Sequence, residues 1–160
     1  MLNIYLIDNK EEDIVSIHEI LTICGKDMYE HYGLSHWKTP YAKEKIREDF
    51  TNKRLFLVQE NDVNIGTFSL QINHNQRTIS ISKFAVLPRF SGKGYGSQIV
   101  KWIEEYSRSL GIYRLQLDVY VRSSAAIAFY KKNDFLIVGS RKTKNFEVYE
   151  MIKNIKEEII

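Results

Sequence analysis

The sequence predicts an α+β fold of about seven strands and about four helices. Three observations carry that prediction. Alternating stretches rich in β-branched and aromatic residues come in pairs around short polar turns. Amphipathic stretches with apolar residues at helical spacing separate them. The glycines at 92, 94 and 96 stand where a strand hands over to a helix.

Leu2 to Ile7 reads as the first strand. Asp8 or Asn9 can cap a helix through about Cys24, with Ile14, Ile17, Leu21 and Cys24 on one face and Gly25 as its stop. Lys26 to Thr39 is irregular and carries Tyr29, His31, Tyr32, His36 and Trp37. That loop is either a substrate wall or a hydrophobic cover for the core. Pro40 opens a second short helix, in which Ile46 and Phe50 are four apart. Leu55–Glu60 and Val63–Ile72 form a hairpin about Asn61-Asp62, and Gly66 within it marks a bulge or a close backbone approach. After a turn at His74-Asn75-Gln76, Thr78 to Val86 alternates, placing Ile79 and Ile81 on one face with Ala85, until Pro88 ends it. From Ser97 the spacing becomes helical at Ile99, Trp102, Ile103, Tyr106 and Leu110, and Gly111 terminates it. Tyr113–Val121 is a strand, and Ser123 or Ser124 caps a helix through Lys132. Phe135–Val138 and Phe146–Ile152 make a last hairpin, and only the tail after Lys153 is expected to be dispensable.

The chain of 160 residues is read as a single domain, 1–160, large enough to bury a full core. Residues 1–60 hold 8 Lys/Arg against 11 Asp/Glu, and residues 61–160 hold 15 against 9, so net −3 and +6 sum to the total of +3. The basic part suits a polyanionic small ligand; its cations are too dispersed for a nucleic-acid surface. Cys24 is the only cysteine, which excludes an intrachain disulfide and a cysteine zinc cage. No histidine or carboxylate spacing suggests a metal site. No apolar run approaches the roughly 18 residues of a membrane span, and the start of the chain lacks a signal-peptide plan. A cytoplasmic location is expected.

The segment Arg89-Phe90-Ser91-Gly92-Lys93-Gly94-Tyr95-Gly96-Ser97 has the chemistry of a phosphate cradle. A helix N-terminus offers unpaired N–H groups and partial positive charge, glycines let a backbone come close to an anion, and Arg89 and Lys93 add cations. A Walker A loop is excluded, because Gly92-Lys93 is followed by Gly94 rather than Ser or Thr. A dinucleotide fingerprint is excluded by the Gly-x-Gly-x-Gly spacing and its place past mid-chain.

Arg-x-x-Gly-x-Gly at 89–94, with the Val86-Leu87-Pro88 lead-in, resembles the pyrophosphate loop of the GNAT superfamily of acyl-CoA-dependent N-acetyltransferases. A second stretch, Ser123 to Phe135, is similar to the family's Asn-x-x-Ala-x-x-Phe-Tyr-x-x-x-Gly-Phe and keeps Ala126, Phe129, Tyr130 and Phe135. The resemblance covers about residues 54–152. It implies a three-layer arrangement around a mixed, mostly antiparallel sheet that splays between its fourth and fifth strands. It further implies acetyl-CoA as cosubstrate and no metal. Backbone groups of Phe84, Ala85 and Val86 would pair with the pantetheine amides, and N–H groups from Phe90 to Ser97 would hold the pyrophosphate. Ser123, Ala126 and Phe129 would flank the arm. The reaction implied is direct attack by a primary amine, with the Val86 N–H facing the oxyanion and Tyr130 as general acid to the thiolate.

Two departures leave that reading standing: Ser123 replaces the usual Asn, and Asp134 the usual Gly, in an Asn133-Asp134 pair that tolerates left-handed geometry. A third bears on mechanism. The fourth strand offers Ser80 and Ser82 where many relatives carry a Glu, so Glu60, Asp118, His36 or a water chain must take the proton. The acceptor expected is a small-molecule or peptide amine, held by its cation against Tyr29, Tyr32, His36 and Trp37. The alternative is an acyl-CoA-binding module without catalysis. An exposed edge near the last hairpin would permit a homodimer; neither nucleic acid nor membrane is an expected partner.

Overall fold

The computed structural model describes residues 2–157. Its elements are β1 (Leu2–Leu6), α1 (Glu11–Tyr32), α2 (Lys43–Asp49), β2 (Arg54–Glu60), β3 (Val63–Asn73), β4 (Thr78–Val86), α3 (Tyr95–Ser109), β5 (Arg114–Tyr120), α4 (Ser124–Lys132), β6 (Leu136–Lys142) and β7 (Glu147–Asn154). Pro88–Phe90 form a single 3₁₀ turn between β4 and α3. Hydrogen bonds join the strands into one seven-stranded sheet in the order β1-β2-β3-β4-β5-β7-β6. The sheet is mixed: β4 and β5 are parallel, while β1–β2, β2–β3, β5–β7 and β6–β7 are antiparallel. Among the described residues, no helix is long and apolar enough to cross a membrane.

The chain divides into two compact units, Met1–Gln71 with Ser82–Tyr95 and Ile72–Ile81 with Gly96–Ile160. In the first unit, Ile14, Ile17, Leu21 and Cys24 of α1 pack with Ile46 of α2, Leu55 and Leu57 of β2, Ala85 and Leu87. Met28, Trp37, Tyr41, Phe50 and Phe90 close over that cluster. In the second unit, Ile79, Ile81, Ile99, Ile103, Leu115, Leu117, Phe135 and Met151 are buried.

The structure corrects several expected boundaries. Helix α1 does not stop at Gly25; it continues to Tyr32 and ends on Gly33, whose φ of 67° forms the C-terminal cap. Gly25 answers a different demand, because a Cβ there would lie 2.2 Å from the Trp37 carbonyl oxygen. The N-cap is Lys10 rather than Asp8 or Asn9, and no side chain caps it. Helix α3 opens at Tyr95, two residues before the spacing becomes visible. Strand β6 runs to Lys142, beyond the apolar residues that marked it, because β7 pairs with it as far as Lys142↔Glu147. The hairpin turn is as expected: Asn61 and Asp62 take φ of 50° and 63°.

Strand β4 carries the geometry that matters most. Lys83 has a φ of 53°, so the alternation expected from Ile79 to Ala85 is broken at that residue. Past it, Ala85 enters the α1 cluster. Gly66 of β3 lies so close that a Cβ would come 2.7 Å from the Ala85 carbonyl oxygen. The next peptide is held on both sides: Leu87 N–H donates to Ile65 O at 2.8 Å, and the Cys24 thiol donates to Val86 O at 3.4 Å. The parallel register of β4 with β5 comprises Ile79↔Leu115, Ser80↔Gln116 and Ile81↔Leu117.

Two outcomes follow from this packing. Gly66→Val places a Cβ against a backbone oxygen that cannot swing away, so urea unfolding is expected to register a loss of about 1–3 kcal/mol; an unchanged midpoint would contradict the close approach. Burial, and secondarily Asp27, pushes the Cys24 thiol up from 9.0 to about 12. A raised folded-state value means that the neutral thiol stabilises the fold fully below pH 9 and that this contribution fades as pH climbs towards 12. The stability gap between the wild type and Cys24→Ala is therefore expected to shrink over that interval; a constant gap would refute the assignment.

Candidate active site

The loop after β4 is anchored at its start and open at its crest. Phe90 packs on the first unit's core and meets Tyr95 edge-on at 6.3 Å. The Arg89 guanidinium lies 4.9 Å and the Lys93 ammonium 5.8 Å from the centre of the Phe90 ring, so one half-buried ring lies beside both cations. The N–H groups of Phe90 and Ser91 are spent within the turn, on Leu87 O and Pro88 O. Any anion at this loop must therefore use the N–H groups from Gly92 onward. Gly92 and Gly94 have φ of 73° and 82°, and no atom lies within 4 Å of a Cβ built on either, so conformation, not crowding, requires glycine there. Gly96 differs: a Cβ would come 2.9 Å from Cε1 and Cζ of Phe129, and the glycine lets that ring seat against α3. The first turn of α3 holds no acidic residue, which keeps its positive end available to an anion.

In the second unit, α4 presents the other group of residues. Ser123 precedes the helix with a φ of −82° and makes no side-chain cap. It is 4 % exposed, and its hydroxyl oxygen is buried without a hydrogen-bond partner. A hydroxyl in that state costs about 1–3 kcal/mol unless something meets it. Tyr130 lies edge-on to Phe129 at 5.3 Å and to Phe135 at 5.6 Å. Its ring keeps some accessible surface, but desolvation of the hydroxyl raises the phenol well above its ordinary value. The turn after α4 is built as expected where Asp134 replaces glycine: Asp134 adopts φ 68°, and Phe135 N–H returns to Tyr130 O at 3.0 Å.

The polar groups considered for proton removal lie in different surroundings. Ser80 Oγ accepts a hydrogen bond from Gln116 Nε2 at 2.8 Å. Asp118 pairs with Arg141, which also reaches Glu150 at 3.5 Å. Burial raises the Asp118 carboxyl, Arg141 opposes the shift, and Glu150 adds to it. Burial lowers the His36 imidazole, favouring its neutral form. Glu60 ends β2 opposite Leu2 and Val63.

The four aromatic-loop residues do not share one environment. Trp37 packs against the hydrophobic cluster, and its backbone occupies the space beside Gly25. Tyr29 and Tyr32 are exposed on the last turns of α1, and the Lys38 ammonium already lies 4.2 Å from the Tyr29 ring centre. Sequence reasoning passed over Cys24 as a ligand of Val86 O, Gln116 as the partner of Ser80, and Lys83 altogether. Contacts spanning 62 and 36 residues leave no local signal; for Lys83 the clue available was a long cation inside an otherwise uncharged strand.

The comparisons with known proteins bear on this arrangement. The pattern of the Acetyltransferase (GNAT) family matches residues 15–135. Among curated relatives, the uncharacterized N-acetyltransferase CgeE of Bacillus subtilis is 38% identical over 77 residues, which is 48% of this chain and 29% of that protein. The chain thus covers under a third of that relative's length. Solved structures share the fold, among them two N-acetyltransferases. The ribosomal-protein-S18-alanine N-acetyltransferase of Escherichia coli superposes with a TM-score of 0.76 at 17% identity, over 97% of this chain and 94% of its own. PaiA N-acetyltransferase of Thermoplasma acidophilum, solved in complex with coenzyme A, gives 0.76 at 21% identity, over 96% and 99%. With the matched pattern spanning both the glycine loop and α4, the chain belongs to the acetyltransferase (GNAT) family.

Proposed function

We propose that this protein is an acetyl-CoA-dependent N-acetyltransferase that moves an acetyl group onto a primary amine by direct attack. The observation that carries the reading is the buried, unpartnered Ser123 hydroxyl at the head of the helix that bears Tyr130. A polar atom kept dry and unmet is what a ligand's amide would satisfy. The glycine loop supports the same ligand, since its cations and open crest suit a pyrophosphate.

In this reading, N–H groups from Gly92 to Ser97, with Arg89 and Lys93, hold the pyrophosphate. Phe84, Ala85 and Val86 offer backbone groups to the pantetheine arm, and Ser123, Ala126 and Phe129 flank it. Because Cys24 occupies the Val86 carbonyl, the N–H is the group Val86 contributes, and it is assigned to the oxyanion that forms on attack. Tyr130 donates a hydrogen bond to sulfur as charge develops there. Desolvation holds the phenol protonated at neutral pH and also makes it a weaker acid than an ordinary tyrosine. Most of its contribution is therefore the hydrogen bond itself, with the proton following the departing thiolate.

Proton removal from the acceptor ammonium is assigned to a water chain reaching bulk solvent. Asp118 is tied to Arg141, and Ser80 to Gln116, so neither is a ready base. The same observation favours a second reading, an acyl-CoA-binding module that has lost its base and does not turn over.

Thiol release on a panel of amines separates the two. Tyr130→Phe is expected to lower kcat about 10²-fold or more, with the KM for acetyl-CoA nearly unchanged. An unaltered kcat would remove Tyr130 from the chemistry, and absence of turnover beside intact acetyl-CoA binding would favour the binding module.

A further inference from the structure

We propose that the corner made by Lys83, Lys53 and Tyr41 binds an anionic group of the acceptor, so that the amine presented for acetylation belongs to a carboxylate-bearing molecule, an amino acid or peptide in class, rather than to a polyamine. The inference rests on the acetyltransferase reading above and names the acceptor for it.

Lys83 is the residue at which β4 leaves regular strand geometry, and it immediately precedes the Phe84–Val86 segment assigned to the thioester arm. Its ammonium lies 4.5 Å from the centre of the Tyr41 ring. The opposite charge acting on it is that of Asp49, and Asp49 is already engaged: it accepts the Tyr41 hydroxyl at 2.9 Å and faces the Lys53 ammonium at 3.8 Å. Lys53 and Lys45 both repel Lys83, and Glu48 acts on the Tyr41 phenol from an exposed position. Lys83, largely withdrawn from water, thus feels two like charges and one carboxylate that is already committed to Tyr41 and Lys53. Desolvation first, then Lys53 and Lys45, lower its pKa. A carboxylate arriving there would offset the excess positive charge and give Lys83 a partner.

The surroundings disfavour a cationic acceptor for the same reason. Two rings that could attract one already carry the chain's own lysines, Lys38 over Tyr29 and Lys83 over Tyr41. Trp37 is turned to the core.

The test uses matched acceptors: glycine and glycinamide, phenylalanine and phenylalaninamide, with spermidine as the polycation, assayed by thiol release from acetyl-CoA. The acids are expected to show KM values about tenfold or more below those of their amides. Lys83→Met should erase that difference without moving the KM for acetyl-CoA, and Lys83→Arg should restore most of it; Lys53→Met gives a second route should Lys83→Met fold poorly. Amides or spermidine used as well as the acids, or a Lys83→Met variant that weakens acids and amides equally, would overturn the proposal. Should no acceptor turn over, calorimetric titration of the CoA-loaded protein with N-acetylglycine and with its amide decides. Preference for the acid upholds the anionic corner while the catalytic reading fails; no preference overturns the corner.

Discussion

The close approach of β3 to the end of β4 is the constraint on which the candidate site depends. Gly66 admits the Ala85 carbonyl at a distance no side chain would allow, and the following peptide is fastened to Ile65 on one side and Cys24 on the other. A thiol hydrogen bond is weak, and it does not fix the strand alone. The backbone approach does, because no rotamer change could relieve a clash there. The departure at Lys83 comes immediately before this pinned stretch of β4, Phe84 to Val86. Strand geometry here is therefore a functional matter as well as a structural one.

In the proposed reading, polar groups placed out of water set the chemistry of both units. Exposed i,i+4 ion pairs such as Lys26 with Glu30 contribute little. The consequential groups are few: the Ser123 hydroxyl, the Tyr130 phenol and the Lys83 ammonium, each held where its charged or unmet form is costly. Functional sites collect such groups because a ligand supplies what the fold withholds. Between α1 and α2, Trp37 and Tyr41 also pack against the hydrophobic cluster, which composition alone does not reveal.

Much of the fold was legible because its signals are local. The turn at Asn61-Asp62, the spacing of Ile99, Ile103 and Tyr106, and the glycine loop each declare themselves within a few residues. Asp134 in place of glycine was readable for the same reason, since Asn and Asp accept positive φ. What escaped was tertiary. Gly25 resembles a helix stop but lies inside α1, because the Trp37 backbone needs its space. Gly96 resembles a loop glycine but makes room for Phe129. The extent of β6 past its apolar residues depends on β7, and the roles of Cys24 and Lys83 depend on partners far away in sequence. The loop's reach was likewise overestimated, since the N–H groups of Phe90 and Ser91 close their own turn.

The central claim is that the glycine loop and β4 together recognise an acyl-CoA and not merely a phosphate. Calorimetric titration with acetyl-CoA, beside 3′,5′-ADP and ATP as ligands lacking the pantetheine arm, tests it most directly. The account predicts acetyl-CoA binding in the micromolar range, about −8 kcal/mol, and clearly tighter than either control. Equal affinity for acetyl-CoA and ATP would mean that β4 and Ser123 contribute nothing to the ligand, and would contradict the account.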